Sequence, residues 1–188
     1  IQVYATKVGI IRREENWEGV VMKGVGVDYD WTFFKGYLIE GTLPKYSEKR
    51  SLEVLLSQHV ADRMQFEVGD EFNVIFLKED GNKLPGIRVF KLVGIYNSGF
   101  QDFDESIMIG DIKQIQKLNK WKVDEVGGFE IYIDDFDKIE EKGDLIYAEI
   151  PPNINTQSIA HKFSGLFQWL KALDINIMLI IVIMILVA

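Results

Sequence analysis

Twelve consecutive apolar residues, Ile177 to Ala188, close a sequence that otherwise reads as charged and water-soluble. Spanning the hydrocarbon core of a bilayer takes about 20 apolar residues, and a run of about 10–14 is more often a buried core helix. Length alone leaves both readings open. Position favours the membrane: the run meets the end of the sequence without a polar flank, a cap or a stop signal, as a cut membrane helix would. Just before it, Trp169, Lys171 and Asp174 form the aromatic and charged collar found where helices leave water for lipid, and with Phe167 and Leu170 they make up the expected membrane-interface stalk. A lone Trp packed on a soluble body is the competing reading of Trp169. The expectation is a stalk helix over 156–174 that leads into the start of a truncated transmembrane helix at 175–188.

A chain of 188 residues is long enough for one real core or two small lobes. Its first residue is Ile1 rather than Met, so a fragment or processed product is expected. With 29 acidic against 21 basic residues the net charge is −8, and no Lys/Arg block could follow a phosphate backbone. Nucleic acid is not an expected partner. The absence of cysteine removes disulfides, Cys-ligated zinc, iron–sulfur clusters and thiol catalysis together.

Along the chain, residues 2–12 and 19–27 are rich in Val, Ile, Tyr and Gly and flank the polar "REEN"; two strands are expected. The aromatic segment that begins "WTFFKGYLIEG" reads as a crossing between lobes. "EVLLS" is strand-like, Ser57 can cap the helix "QHVADRM", and "FNVIFL" and "IRVFKLVGIY" flank Asp80-Gly81 and Pro85-Gly86 as a β-hairpin with an extended tip. After an irregular loop, "NSGFQDFDE", come the strand "SIMIG", a helix opened by Asp111, the strand "GGFEIYID" and a helix "DFDKIEEK" that Gly143 can end. From Thr156, a plausible cap, Ile159, Phe163, Leu166, Phe167, Leu170 and Leu173 recur at intervals of three and four. One helix running from there straight into the apolar run is expected.

The chemistry-bearing patterns are missing. GxxxxGK[ST], GxSxG and HExxH do not occur, and "GVGVDYD" lacks the third glycine and the opening helix of a dinucleotide site. His59 and His161 lie far apart, each in an expected helix. The acidic clusters at 101–105 and 134–141 do not follow the alternating ligand pattern of a calcium loop. No catalytic residue, cofactor or metal site is expected, and an enzyme is disfavoured.

The order of segments resembles the extracytoplasmic domain of FtsX-like ABC-transporter permeases, the family of lipoprotein-releasing permeases and MacB-type efflux pumps. The stretches that carry it are "EVLLSQHVADRMQFEVGDEFNVIF", "RVFKLVGIYNSGFQDFDESIMIGDIKQIQKL", "GGFEIYIDDFDKIEE" and "LFQWLKALDINIMLIIVIMILVA", most of the chain from residue 53 onward; residues 1–50 match loosely. The resemblance implies an α+β, two-lobed periplasmic domain: a porter-like lobe from 1–50 and 124–155, and a sabre-like lobe from 51–123. It implies a cytoplasmic ABC ATPase subunit as partner, a second permease subunit in a homo- or heterodimer, an inner-membrane location, and a lipidated or hydrophobic cargo, most closely lipoprotein release. It further implies a docking tip for a periplasmic chaperone or adaptor at "KEDGNKLPGIR", with Lys83, Leu84, Pro85, Ile87 and Arg88 as contacts. An ordinary exposed turn stays open there. So do an efflux permease that contacts an adaptor, a membrane-anchored scaffold that regulates an envelope hydrolase, and a soluble enzyme whose apolar C-terminal helix is buried.

Overall fold

The computed structural model describes residues 1–32, 34–77 and 85–187, with the side chains of Lys171, Asp174, Leu186 and Val187 outside that set. Eight strands and six α-helices among these residues make the class α+β. The chain divides into two compact units, Ile1–Ile131 and Tyr132–Ala188.

The first unit is a closed sheet. Strands β1 (Gln2–Arg13) and β2 (Asn16–Val25) form an antiparallel hairpin around Glu14 and Glu15, with Arg13 opposite Asn16 and Glu14 at a positive φ of 53°. The remaining ring strands are β4 (Glu53–Ser57), β5 (Glu71–Phe76), β6 (Gly86–Tyr96) and β7 (Ile107–Asp111). The order β2-β7-β4-β6-β5-β1 returns to β2 through the hairpin, so six strands close into a barrel; β2–β7 and β4–β6 are parallel and the other ring pairings antiparallel. Closure satisfies backbone donors that an open sheet would leave at its edges. Two short strands sit outside the ring: β3 (Leu38–Gly41) on β6 and β8 (Gly128–Glu130) on β1.

Alternation along each strand sends one set of side chains inward. Ile11, Val20, Met22, Val54, Leu56, Phe72, Val74, Phe76, Phe90, Leu92 and Met108 fill the interior, each at most 4% exposed. The filling is tight at Gly9, where an added Cβ would lie 2.7 Å from Val74 Cγ1. Helices α1 (Gln58–Met64) and α3 (Ile112–Asn119) add Val60, Ala61, Met64, Ile112 and Ile115 to the same cluster. Both start where expected: Ser57 Oγ accepts from Val60 N at 3.2 Å and Asp111 Oδ1 from Lys113 N at 2.9 Å.

Outward side chains of β2, β4, β6 and β7 form a second cluster. Val25, Leu55, Tyr96 and Ile109 are covered by the segment 29–46, which brings Phe34, Trp31, Tyr29, Leu38, Leu43 and Tyr46 over them. The ring centroids of Trp31 and Phe34 lie 5.8 Å apart and those of Phe34 and Tyr96 5.0 Å, both edge-on. The aromatic stretch expected to cross between lobes thus folds back on the sheet. The expected lobe edges at 50/51 and 123/124 do not coincide with an edge of this sheet, because β1 and β2 are hydrogen-bonded to β5 and β7.

The second unit contains α4 (Ile139–Glu149), α5 (Ile159–Lys162) and α6 (Ser164–Val187). Several boundaries differ from expectation. The strand after Gly127 stops at Glu130, and the loop after Tyr96 contains a helical turn, α2 (Gln101–Asp104). Helix α4 runs through Gly143 and ends at Glu149; Ile150 is extended because Pro151 follows it. The cap of the next helix is Ser158, whose Oγ accepts from His161 N at 3.1 Å, rather than Thr156. Phe163 leaves the helical region (φ −111°, ψ 39°), so the continuous helix begins at Ser164. From there to Ile185 it is long and apolar enough to cross a membrane, and none of that stretch is buried.

Candidate functional site

Three regions bear on function: the β5–β6 hairpin, the outer face of the barrel beside it, and α6. Of the five docking residues expected at the hairpin, Lys83 and Leu84 lie outside the described residues. Pro85 is exposed ahead of β6. Ile87 stands 55% exposed opposite Ile75, whereas the next residue, Arg88, pairs with Val74 on the other side of the strand and donates Nη1–H to the Ile87 carbonyl at 2.9 Å. The alternation of a strand therefore separates the apolar and cationic members of that group.

Ile87 instead joins an apolar face that motif reading did not single out. Register sets its rows: Val8 faces Val21; Ile10 faces Gly19 on one side and Ile75 on the other, and Ile75 faces Ile87; Arg12 faces Trp17 and Asn73, and Asn73 faces Val89. Val8, Trp17, Ile87 and Val89 are exposed, and Ile10, Val21 and Ile75 are half-buried. The signal for this face lies in consecutive apolar residues, Ile10-Ile11 and Val74-Ile75-Phe76, where a half-buried strand would alternate with polar ones. Arg12 stacks over the Trp17 ring at 4.9 Å from its centroid. Arg12, Glu14, Asn73, Ile75 and Ile87 line a shallow depression of about 430 Å³.

A second depression, about 290 Å³, is polar and is lined by residues that include His59, Asp62, Asp104 and Glu105. Its carboxylate at Asp104 is a structural staple: it accepts from Ser98 N and Gly99 N at 3.1 Å and from Ser98 Oγ at 2.7 Å, and it holds the loop that leads into α2. Among the described residues no group of three or more His, Asp or Glu side chains could hold a metal ion. His161 lies on α5 in the other unit.

Two phenols, Tyr96 buried and Tyr46 half-buried, mark the covered half of the barrel's outside. Tyr96 donates its hydroxyl to the Ile107 carbonyl at 2.8 Å; burial, with a smaller contribution from the Asp104 charge, pushes its pKa far above the usual tyrosine value. Burial moves Tyr46 in the same direction, aided by the Asp111 and Glu53 charges.

On α6, Phe167 stacks on Phe136 with centroids 5.2 Å apart and planes 22° from parallel, while Trp169 and Leu170 are exposed. The side chains of Lys171 and Asp174 lie outside the described residues. Every described residue from Ile175 to Ile185 is exposed.

No family model matches the sequence, and no curated protein matches it. Among solved structures, the chain is similar to the extracellular domain of the noncanonic ABC-type transporter YknZ from Gram-positive bacteria, at 14% identity and a TM-score of 0.49, over 76% of this chain and 68% of that one. It is also similar to a domain of a protein described as a permease from Porphyromonas gingivalis, at 14% identity and a TM-score of 0.38, over 81% of this chain and 63% of that one. The barrel itself rests on the strand pairings given above.

Proposed function

We propose that this chain is the extracytoplasmic part of an FtsX-like ABC-transporter permease, which couples ATP hydrolysis in a separate cytoplasmic subunit to movement or release of a lipidated or hydrophobic cargo. The observation that carries the reading is α6, a helix of 24 residues whose amphipathic first turns at Ser164–Asp174 continue without a break into a wholly unburied apolar stretch. Water does not tolerate such a surface, and lipid does. The matching segments quoted from residue 53 onward supply the family. Lipoprotein release, the inner-membrane location and a chaperone or adaptor at 78–88 belong to the same proposal.

In that role α6 is a coupler. A continuous helix transmits displacement along its axis because bending it breaks backbone hydrogen bonds, so a shift at the membrane end biases what the outer end does. The break at Phe163 sets the start of the rigid part at Ser164.

The test uses the full-length protein. Purified in detergent, it is expected to bring down an ABC ATPase identified by mass spectrometry, and photo-cross-linkers at Leu84 and Ile87 in cells are expected to capture a lipoprotein or its chaperone. Expressed as residues 1–188, the chain should fractionate with the membrane, and loss of residues 175–188 should move it to the soluble fraction and leave the barrel's thermal midpoint unchanged, since no described residue of the interior cluster comes from α6. A protein that stays soluble with α6 intact, or that unfolds without its last turns, sinks the reading. Capture of an adaptor or of an envelope hydrolase at Ile87 would replace the cargo while keeping the membrane anchor.

A further inference from the structure

We infer that the cations along α3 and on the loop ahead of β4 form a docking face for a short acidic segment of a partner protein. The face shares no residue with the β5–β6 hairpin, the open apolar half of the barrel or α6.

The first observation is placement. Lys113, Lys117 and the C-cap residue Lys120 follow one another along α3 at intervals of four and three, which sets them in one row, while Ile112 and Ile115 of the same helix are buried. Lys117 and Lys120 are exposed and Lys113 is half-buried. Segment 47–51 is tied to the first turn of this helix: Lys113 Nζ donates to the Ser47 carbonyl, Ser51 N to Asp111 Oδ2 at 2.8 Å, and Gln114 Nε2 to the Ser51 carbonyl at 2.7 Å. Lys49 N donates to Ser47 Oγ at 3.3 Å and closes the turn. The exposed Lys49 and Arg50 are thereby held where the row begins. Ser51 and Gln114 lie 63 residues apart, so the face is assembled by the fold from segments that contain no Lys/Arg block of their own.

The second observation is that these charges go unanswered in a chain with acids in excess. Among the described residues none of the five cations forms an ion pair; the pairs present join Arg13 to Asp70, Lys23 to Glu130, Arg63 to Glu18 and Lys138 to Asp135. Of the adjoining acids, Asp111 is buried and its two oxygens accept from Ser51 N and Lys113 N, and Glu53 accepts from Lys45 N at 3.0 Å. Glu48 is the exposed acid beside Lys49. Lys113 stands in the first turn of α3, at the positive end of the helix dipole, and has a like charge four residues on at Lys117. Both choices work against the helix, which marks the row as serving something other than folding.

Charge also selects the occupant. The row from Lys113 to Lys120 is about 10 Å long, the length of a few extended residues. Neither of the two surface depressions is lined by any of these cations, so they do not converge on a compact anion. A bilayer surface or a nucleic acid extends beyond the face and meets the rest of a chain whose net charge is −8. A short run of Asp and Glu on a partner protein meets the cations alone.

The test is the fluorescence anisotropy of a fluorescein-labelled octaglutamate peptide mixed with the full chain in uncharged detergent micelles. Binding is expected at an ionic strength of about 0.05 M, with Kd rising about tenfold at about 0.3 M as the charges are screened. The double variant K49E/K117E should raise Kd about tenfold at the lower salt, whereas the charge-conserving K49R/K117R and the distant K138E/K142E should stay within about twofold of the parent. All four positions are exposed, so each variant should keep the parent's thermal midpoint, and a loss of binding then reports charge rather than unfolding. No binding up to about 0.5 mM protein, or binding indifferent to K49E/K117E, overturns the docking face. Displacement of the peptide by inorganic phosphate or by monomeric dihexanoyl-phosphatidylglycerol at a lower concentration than by unlabelled octaglutamate overturns the acidic segment, because the cations then read a phosphate group.

Discussion

The outside of the barrel has two halves that share strands β2 and β6. On one, Leu55, Ile109 and Val25 point outward and lie under Phe34, Trp31 and Tyr46. On the other, Ile10, Ile75, Ile87 and Val8 point outward into solvent. The strand chemistry is alike; the difference is that the chain between β2 and β4 returns over one half. Burial is thus a property of what the connecting segment does, and the open half is where association has something to gain.

Variants on the two halves should separate them. Phe34→Ala, which empties the centre of the aromatic cover, is expected to cost about 3–5 kcal/mol in denaturant unfolding. A loss below about 1 kcal/mol would mean that residues 29–46 are a loose flap and the two halves do not differ.

Next in size is the response of the covered half to alkali. Tyr96 has its pKa raised in the folded state, so the native protein keeps a proton that the unfolded chain sheds above about pH 10. The unfolded state then binds fewer protons than the native one, and stability, fully present below that pH, falls as pH rises beyond it. Tyr46 adds to the slope in the same sense. Tyr96→Phe should flatten that decline and cost about 1 kcal/mol at neutral pH through the lost hydrogen bond to Ile107. An unchanged alkaline slope would show that the Tyr96 phenol is reachable by water, contrary to its burial.

Ser57→Ala removes a cap shared with neither half and should cost about 1 kcal/mol, a reference against which the covering contacts are measured. Smallest is Ile87→Ser on the open half, expected within about 0.5 kcal/mol of the parent in dilute monomer. A loss as large as that of Phe34→Ala would mean that Ile87 is already covered within one chain.

Local features were legible from residues alone. Ser57 and Asp111 cap their helices because short polar side chains reach a free amide two or three residues on, which is a matter of spacing. The strand-like runs "EVLLS", "FNVIFL" and "IRVFKLVGIY" fold as strands for the same local reason. Illegible were the partners. Ile10 and Ile75 are 65 residues apart, and nothing near either position says that they meet. The helix boundary at Phe163 and the passage of α4 through Gly143 were equally hidden, since a three- and four-residue spacing survives a one-residue break and a helical glycine costs only about 1 kcal/mol.

What the sequence determined by itself is the inventory: caps, strands that are apolar on both sides, an acidic surface and one unbroken apolar helix, all set by interactions within a few residues. The tertiary structure decided which strands close the ring, which outward side chains residues 29–46 shelter, and that Ile87 and Arg88 part company. Those outcomes depend on register between distant segments, and a shift of one residue in any pairing would turn every side chain of that strand to the other face.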